Sequence, residues 1–293
     1  MAQVEVYLIR AFSIAGQGGN LAGVVLNADP LTEPQRQFIA QQVGVSETAF
    51  VSKSDKADFQ VSFYTPTVEV DFCGHATLST FWLLHHFQSI AAGKYRQETK
   101  AGVLDVDVAL NGDILMNQSL PTWFDEFSAQ EIAPLLGIAP SLILQTGLPI
   151  QAISTGLIDL MVPVPYGVLD CLEVDYEAIT RFCQQHQYVG FHVFEMNPQE
   201  SAYTASCRNF APAVGIPEES ATGSSSGALA CYLNRHFGYQ QAIFEQGRAM
   251  EMSSRLVTQL TIDKEELKQV QVGGEGAFYK KVVIEELKEK NRT

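Results

Sequence analysis

The sequence predicts an α+β fold. Many short β-branched and aromatic runs are set off by Gly and Pro turns, few segments carry a long helical period, and strands and helices do not alternate regularly. A doubly wound parallel sheet would need that alternation. Taking the elements in order, "VEVYLIRAF" (4–12) and "LAGVVLN" (21–27) read as strands around a Gly-rich turn, "GQGGN". "LTEPQRQFIAQQVG" (31–44) reads as a helix, with Thr32 as N-cap, Gln35 three residues on as its capping-box partner, and Gly44 as the stop. Strands are expected at 45–51 and 59–64. "VEVDFCGHATLSTFWLLHH" (68–86) starts extended, passes through a small polar tip at 73–77, and continues as an apolar helix.

Further strands are expected at 94–99, 103–109 and 114–117. Pro121 and polar flanks make 118–127 the best hinge candidate. "FSAQEIAPLLG" (127–137) repeats the cap logic with Ser128 and Glu131. Strands near 142–145, 151–154 and 157–162 follow, then a helix near 175–187 and strands at 189–195 and 202–207. A second special turn with its helix occupies 216–236. Strands resume to about 284, and 286–293 read as a polar tail. There is also an internal echo: Tyr64-Thr65-Pro66-Thr67-Val68 resembles Phe210-Ala211-Pro212-Ala213-Val214, half a chain later. After each proline come an acidic residue, a Gly turn and a helix that opens on small residues. The pattern suggests two similar halves.

Composition narrows the function. A formal net charge of −14 repels a phosphate backbone and an anionic membrane surface, so neither nucleic acid nor membrane is an expected partner. No secretory signal pattern opens the chain and no apolar run is long enough to span a bilayer, which fits a cytoplasmic protein. The cysteines at 73, 171, 183, 207 and 231 are odd in number, widely spaced and free of any CxxC, against a disulfide framework or a zinc site. "GQGGN" has neither the spacing of a dinucleotide fingerprint nor the lysine of a P-loop. No His/Glu metal cluster at helical spacing is present. His85, His86, His186, His192 and His236 read as structural or surface residues.

Three places could carry chemistry. The first turns of the two special helices, 74–77 (Gly74, His75, Ala76, Thr77) and 222–225 (Thr222, Gly223, Ser224, Ser225), each present unpaired backbone N–H groups and the positive end of a helix dipole. Small residues let an anion, most simply a substrate carboxylate, approach that backbone. The plainer reading is that Gly and Ser only turn and cap the chain. The third place is Glu47 in "VGVSETAFV". On a strand over 45–51, alternation sets Glu47 beside Val45, Ala49 and Val51. Burial among them would raise its pKa and suit it to acid/base work; the competing reading is an edge-strand carboxylate facing water.

The motifs "GGNLAGVVL", "VSETAFV", "DFCGHATL", "ETKAGVLDV", "RNFAPAVGIPEESATGSSSGAL", "FEQGRAMEMSSRL" and "VQVGG" occur in the order found in phenazine-biosynthesis PhzF-like proteins, and the chain resembles that family over almost its whole length. The resemblance implies a diaminopimelate-epimerase-like fold: two pseudo-symmetric halves, here 1–119 plus 277–293 and 120–276, each with a curled, mostly antiparallel sheet around a central helix and the active site between them. It implies a homodimer, a small carboxylated substrate, and isomerase chemistry without metal or organic cofactor. Glu47 matches the family's acid/base glutamate, His75 the histidine of its G-H-A-T motif, and Glu219 the position usually held by Asp. Ser224 matches the motif serine, Gly223 supplies a backbone donor, and Asn20, Gly74, Ala76, Thr77, Thr222 and Ser225 are expected to bind substrate. Glu219-Ser220 in place of the common Asp-Pro, and "GNLAG" in place of G-N-P-A, are departures that bear on substrate preference. Two alternatives accompany this reading. One is an amino-acid racemase or epimerase, for which Cys73 offers one thiol but 220–222 offers no second. The other is a non-catalytic binding module on the same fold.

Overall fold

A computed structural model describes residues 3–285; residues 1–2 and the expected polar tail at 286–293 lie outside the described residues. In chain order the elements are β1 (Gln3–Ala11), β2 (Asn20–Val25), α1 (Glu33–Val43), β3 (Glu47–Ser52), β4 (Phe59–Tyr64), β5 (Glu69–Val70), α2 (Gly74–His86), β6 (Gly93–Thr99), β7 (Gly102–Val108) and β8 (Ile114–Gln118). They continue as β9 (Thr122–Phe127), α3 (Ala129–Ile132), α4 (Pro140–Gln145), β10 (Ile150–Ser154), β11 (Ile158–Val164), α5 (Tyr176–His186), β12 (Gly190–Met196), β13 (Ala205–Ala211) and β14 (Ile216–Glu219). The last are α6 (Gly223–Phe237), β15 (Gln241–Gln246), β16 (Ser254–Asp263), β17 (Glu266–Gly274) and β18 (Gly276–Glu285). The chain falls into two compact units, Met1–Met116 with Gly274–Thr293, and Asn117–Gly273.

In the first unit β1 pairs antiparallel with β18 and β2, β2 runs parallel to β3, and β3 pairs antiparallel with β4. β4 pairs antiparallel with β5 and parallel with β6, and β6–β7–β8 form a meander. The second unit repeats this scheme strand for strand. β10 pairs antiparallel with β9 and β11, β11 runs parallel to β12, and β12 pairs antiparallel with β13. β13 pairs antiparallel with β14 and parallel with β15, and β15–β16–β17 form the closing meander. In each unit one long helix follows the short strand: α2 after β5, and α6 after β14. The Pro66 and Pro212 echoes fall at equivalent joints, between β4 and β5 and between β13 and β14. The internal similarity in the sequence is therefore a repeat of topology.

Each of these helices is the centre of its own unit. α2 buries Ala76 through Phe81 with Leu83 and Leu84, and packs on β1, β2, β3, β7 and β18. α6 buries nine consecutive residues, Ser225 through Leu233, against β10, β11, β15 and β16. A helix apolar or small on every side must be enclosed, and the curled sheet encloses it. Each large side chain so buried, such as Leu78 or Phe81, contributes about 1.5–3 kcal/mol.

Caps place the helices as their sequences require. Thr32 N donates to Gln35 Oε1 at 2.8 Å, and Gly44 ends α1 in the left-handed region at φ 70°. Ser128 accepts from the Glu131 N–H at the start of α3. One expectation is overturned. Residues 142–145 are helical, because Pro140 presets the first turn of α4 and a four-residue apolar run does not by itself tell strand from buried helix. Thr122–Phe127, within the segment read as a hinge, forms β9 and pairs with β10. Polar residues there reflect an exposed strand.

Close backbone approach explains one glycine in the sheet. A Cβ on Gly190, the first residue of β12, would lie 2.3 Å from the Phe210 carbonyl oxygen in β13. No rotamer relieves a clash with backbone. Gly190→Ala is expected to lower the unfolding free energy by about 1–3 kcal/mol, read as a lower urea midpoint with an unchanged slope.

Candidate active site

In the first unit, β3 and α2 deliver three reactive groups to one point. Glu47 opens β3, where it stands opposite Ala22 of β2, so its strand is internal to the sheet and not an edge. His75 is the second residue of α2 and Cys73 its N-cap. The Glu47 side chain is 21% exposed and that of His75 10%. His75 Nε2 lies 3.1 Å from Glu47 Oε2 and 3.2 Å from Ser46 Oγ; its Nδ1 lies 3.4 Å from Cys73 Sγ. Glu47 Oε2 is itself buried and has no aligned hydrogen bond, so the Glu47–His75 contact is an ion pair by proximity.

The electrostatics reverse one expectation. Burial does push the Glu47 carboxyl up, but the close contact with the His75 imidazolium outweighs it, with help from Ser46 and Cys73, and the pKa ends below the ordinary 4.5. For His75, burial pushes down, while the neighbouring Cys73 sulfur and the Glu47 carboxylate push up harder; the imidazole ends well above 6.5. Both shifts favour the same state, imidazolium beside carboxylate. The sequence pattern shows the apolar strand neighbours of Glu47 and hides the histidine that α2 brings to it. Glu47, Cys73 and His75 are also all of metal-ligating type and lie within 4.8 Å of one another. As they stand, both ring nitrogens are engaged within the group.

The backbone around this trio is open. Cys73 makes no side-chain cap, and the first intrahelical bond is Thr77 N to Cys73 O. The N–H groups of Gly74, His75 and Ala76 therefore have no partner within α2. Among the described residues, a Cβ on Gly74 would meet nothing within 4 Å. Thr77 is different: its side chain is fully buried and its hydroxyl accepts from Gln97 Nε2 at 3.1 Å. Asn20 opens β2, opposite Ala11.

The second unit carries the other turn. Thr222 is the N-cap of α6 and makes no cap bond to the helix; its hydroxyl donates instead to Glu219 Oε2 at 2.9 Å. Gly223 and Ser224 form the first turn and are partly exposed; the Ser224 carbonyl accepts from Thr155 Oγ1. Ser225 is fully buried, donating to Asp159 Oδ2 at 2.6 Å and accepting from Asn209 Nδ2, which also lies 3.2 Å from His192 Nδ1. Burial raises Asp159 to about 6 and lowers His192 to about 3, so the buried histidine is neutral. Sequence reasoning missed this network because its members come from β11, β12, β13 and α6. It also passed over Ser46, adjacent to Glu47, and Gln246.

The family model for phenazine biosynthesis-like proteins, PhzC-PhzF, matches residues 9–281. The chain belongs to this family. An uncharacterized isomerase of Clostridium acetobutylicum is 32% identical over 285 residues, covering 92% of this chain and 94% of that one. The trans-2,3-dihydro-3-hydroxyanthranilate isomerase of Pseudomonas chlororaphis is 30% identical over 289 residues, covering 93% and 96%. The crystal structure of a Bacillus anthracis PhzF-family phenazine biosynthesis protein superposes with a TM-score of 0.87 at 29% identity, over 97% of this chain and 99% of that chain. This PhzF-family chain is thus an isomerase, with the α+β, diaminopimelate-epimerase-like fold.

Proposed function

We propose that this PhzF-family isomerase moves a proton between carbons of a small carboxylated metabolite, cyclic or conjugated, with Glu47 as the acid/base. The observation that carries the reading is the Glu47–His75 ion pair, 3.1 Å across and largely buried, beside the open first turn of α2. A carboxylate in that setting is ionised and ready to accept a proton, and the neighbouring imidazolium orients it. Glu47 takes a C–H proton, and the electron pair spreads into the conjugated system. The same carboxylic acid then returns the proton to a second carbon. The N–H groups at the start of α2, which have no partner within the helix, are suited to the substrate carboxylate and to the charge that builds on it. An anion bound there also draws on the charge of His75. That restores to Glu47 the basicity that burial favours. Glu219 and Ser224 are assigned the amino or hydroxy groups of the substrate. Positioned acid/base catalysis contributes on the order of 10²–10⁴-fold, and orientation supplies the remainder.

The compound named for the Pseudomonas relative, trans-2,3-dihydro-3-hydroxyanthranilate, is the first candidate substrate. The test is to incubate it with the protein in D₂O and follow double-bond migration by absorbance and carbon-bound deuterium by mass spectrometry. Migration with isotope gain or internal proton return supports the proposal. A compound that binds and leaves chemically untouched, across a panel of related cyclic acids, would favour a binding module.

The paired shifts also set a pH dependence. Activity needs Glu47 ionised, so kcat/KM should fall only as pH drops through a value below 4.5. It needs His75 protonated, so the alkaline limb should lie well above 6.5. Between them the profile of the free enzyme is expected to be flat across neutrality. A limb at the ordinary histidine value would contradict the assignment.

A further inference from the structure

We infer that Gln246 is a positioning residue for the Glu219 carboxylate, acting through the hydroxyl of Thr222. The inference rests on the reading that Glu219 takes part in the reaction. Gln246 ends β15 and is 1% exposed. Its Nε2 donates to the Glu219 carbonyl at 2.7 Å and to Thr222 Oγ1 at 2.9 Å, and its Oε1 accepts from Thr222 N at 3.2 Å. The orientation of the amide follows from its backbone partners. A carbonyl can only accept and a backbone N–H can only donate, so nitrogen and oxygen cannot be exchanged.

That orientation fixes a hydrogen at the next step. Thr222 Oγ1 has one hydrogen and receives one from Gln246. Its own hydrogen is therefore directed to Glu219 Oε2, 2.9 Å away. Gln246, Thr222 and Glu219 form a directional chain that ends by donating to the carboxylate and so favours its ionised form. The residue after Gln246 permits the approach. Gly247 has φ +87°, and a Cβ there would lie 2.6 Å from Met252 O and 2.8 Å from Ser220 O. Only glycine lets this corner press against the 219–222 turn.

The charged groups flanking the chain are engaged with partners of their own. Glu218, next to Glu219, is held by both Arg208 Nε and Nη2 at 2.8 Å. Glu245 and Arg248, on either side of the Gln246-Gly247 corner, meet at 2.9 Å, and Arg248 also binds Asp170 and Glu195. The uncharged amide is what sets the polarity of the relay.

The test titrates Glu219 directly, by ¹³C NMR of the side-chain carboxyl in the full-length protein, with no substrate present. In Gln246→Glu the new carboxylate can only accept, so Thr222 turns its hydrogen away and the Glu219 midpoint should rise by about one pH unit or more. Thr222→Val should raise it similarly, Thr222→Ser should restore it, and the double variant should shift less than the two single shifts together. If Gln246 matters only for packing, the variants lose thermal stability while the Glu219 midpoint stays in place, and the proposal fails. Should Gln246→Glu not fold, the Thr222 pair decides alone: equal midpoints in the Val and Ser variants overturn it. Turnover of trans-2,3-dihydro-3-hydroxyanthranilate, measured separately, reports on the underlying role of Glu219. An inert Glu219→Gln exchange in that assay would sink the reading of the reaction and leave the positioning result standing.

Discussion

Glu47→Gln should abolish turnover, with a loss on the order of 10²–10⁴-fold or more, while the protein remains folded. The amide keeps the shape of the side chain, so the packing contact that spans β3 and α2 survives without the carboxylate's charge. What it lacks is a site that takes and returns a proton. The variant should therefore bind a substrate carboxylate at the α2 turn with little change, and the deficit should appear in kcat and not in KM. Unfolding midpoints within a few degrees of the parent protein, alongside single-turnover rates, check both halves of this expectation. A variant that retains a tenth of the parental rate would remove Glu47 from the chemistry.

His75→Ala is the second large effect. It removes the charge that overrules burial at Glu47, so the carboxyl is left with the desolvation that pushes its pKa up. The acid limb of kcat/KM should move from below 4.5 to above it, and the rate at neutral pH should fall on the order of 10²-fold through lost orientation. Stability follows the same pair. His75 has a raised pKa when folded, so its contribution is complete below 6.5 and is lost as pH rises through the raised value. Glu47 has a lowered one, so its contribution is complete above 4.5 and is lost as pH falls through the lowered value. Across neutrality the pair stabilises the start of α2 against β3. In His75→Ala the alkaline dependence should vanish and the acid one should change sign, stability now being lost as pH rises from 4.5 through the raised Glu47 value, in urea midpoints measured as a function of pH.

Much of the fold is legible from residue order alone, because local signals agree with the tertiary result. The capping box at Thr32 and Gln35, the Pro66 and Pro212 echo, and the small-residue starts of α2 and α6 are short-range features, and the fold keeps them. The α4 segment reads wrongly as a strand because "SLILQ" carries no period long enough to separate strand from helix. The sign of the Glu47 shift is out of reach for another reason: it depends on an imidazole 28 positions away, and strand alternation describes only immediate neighbours. Gln246 is hidden in the same way. Its place in a motif says nothing of what the amide touches, and its role emerges only when β15 and the 219–222 turn are seen against each other.

The measurement that bears most directly on the central claim is hydrogen exchange at carbon in D₂O, with trans-2,3-dihydro-3-hydroxyanthranilate as substrate. The parent protein, Glu47→Gln and Cys73→Ala should be compared under one set of conditions. With the Glu47 carboxyl as the group that carries the proton, exchange and isomerisation persist in Cys73→Ala and stop in Glu47→Gln. Exchange that continues in Glu47→Gln and ceases in Cys73→Ala would instead place the proton on sulfur and contradict a carboxylate mechanism.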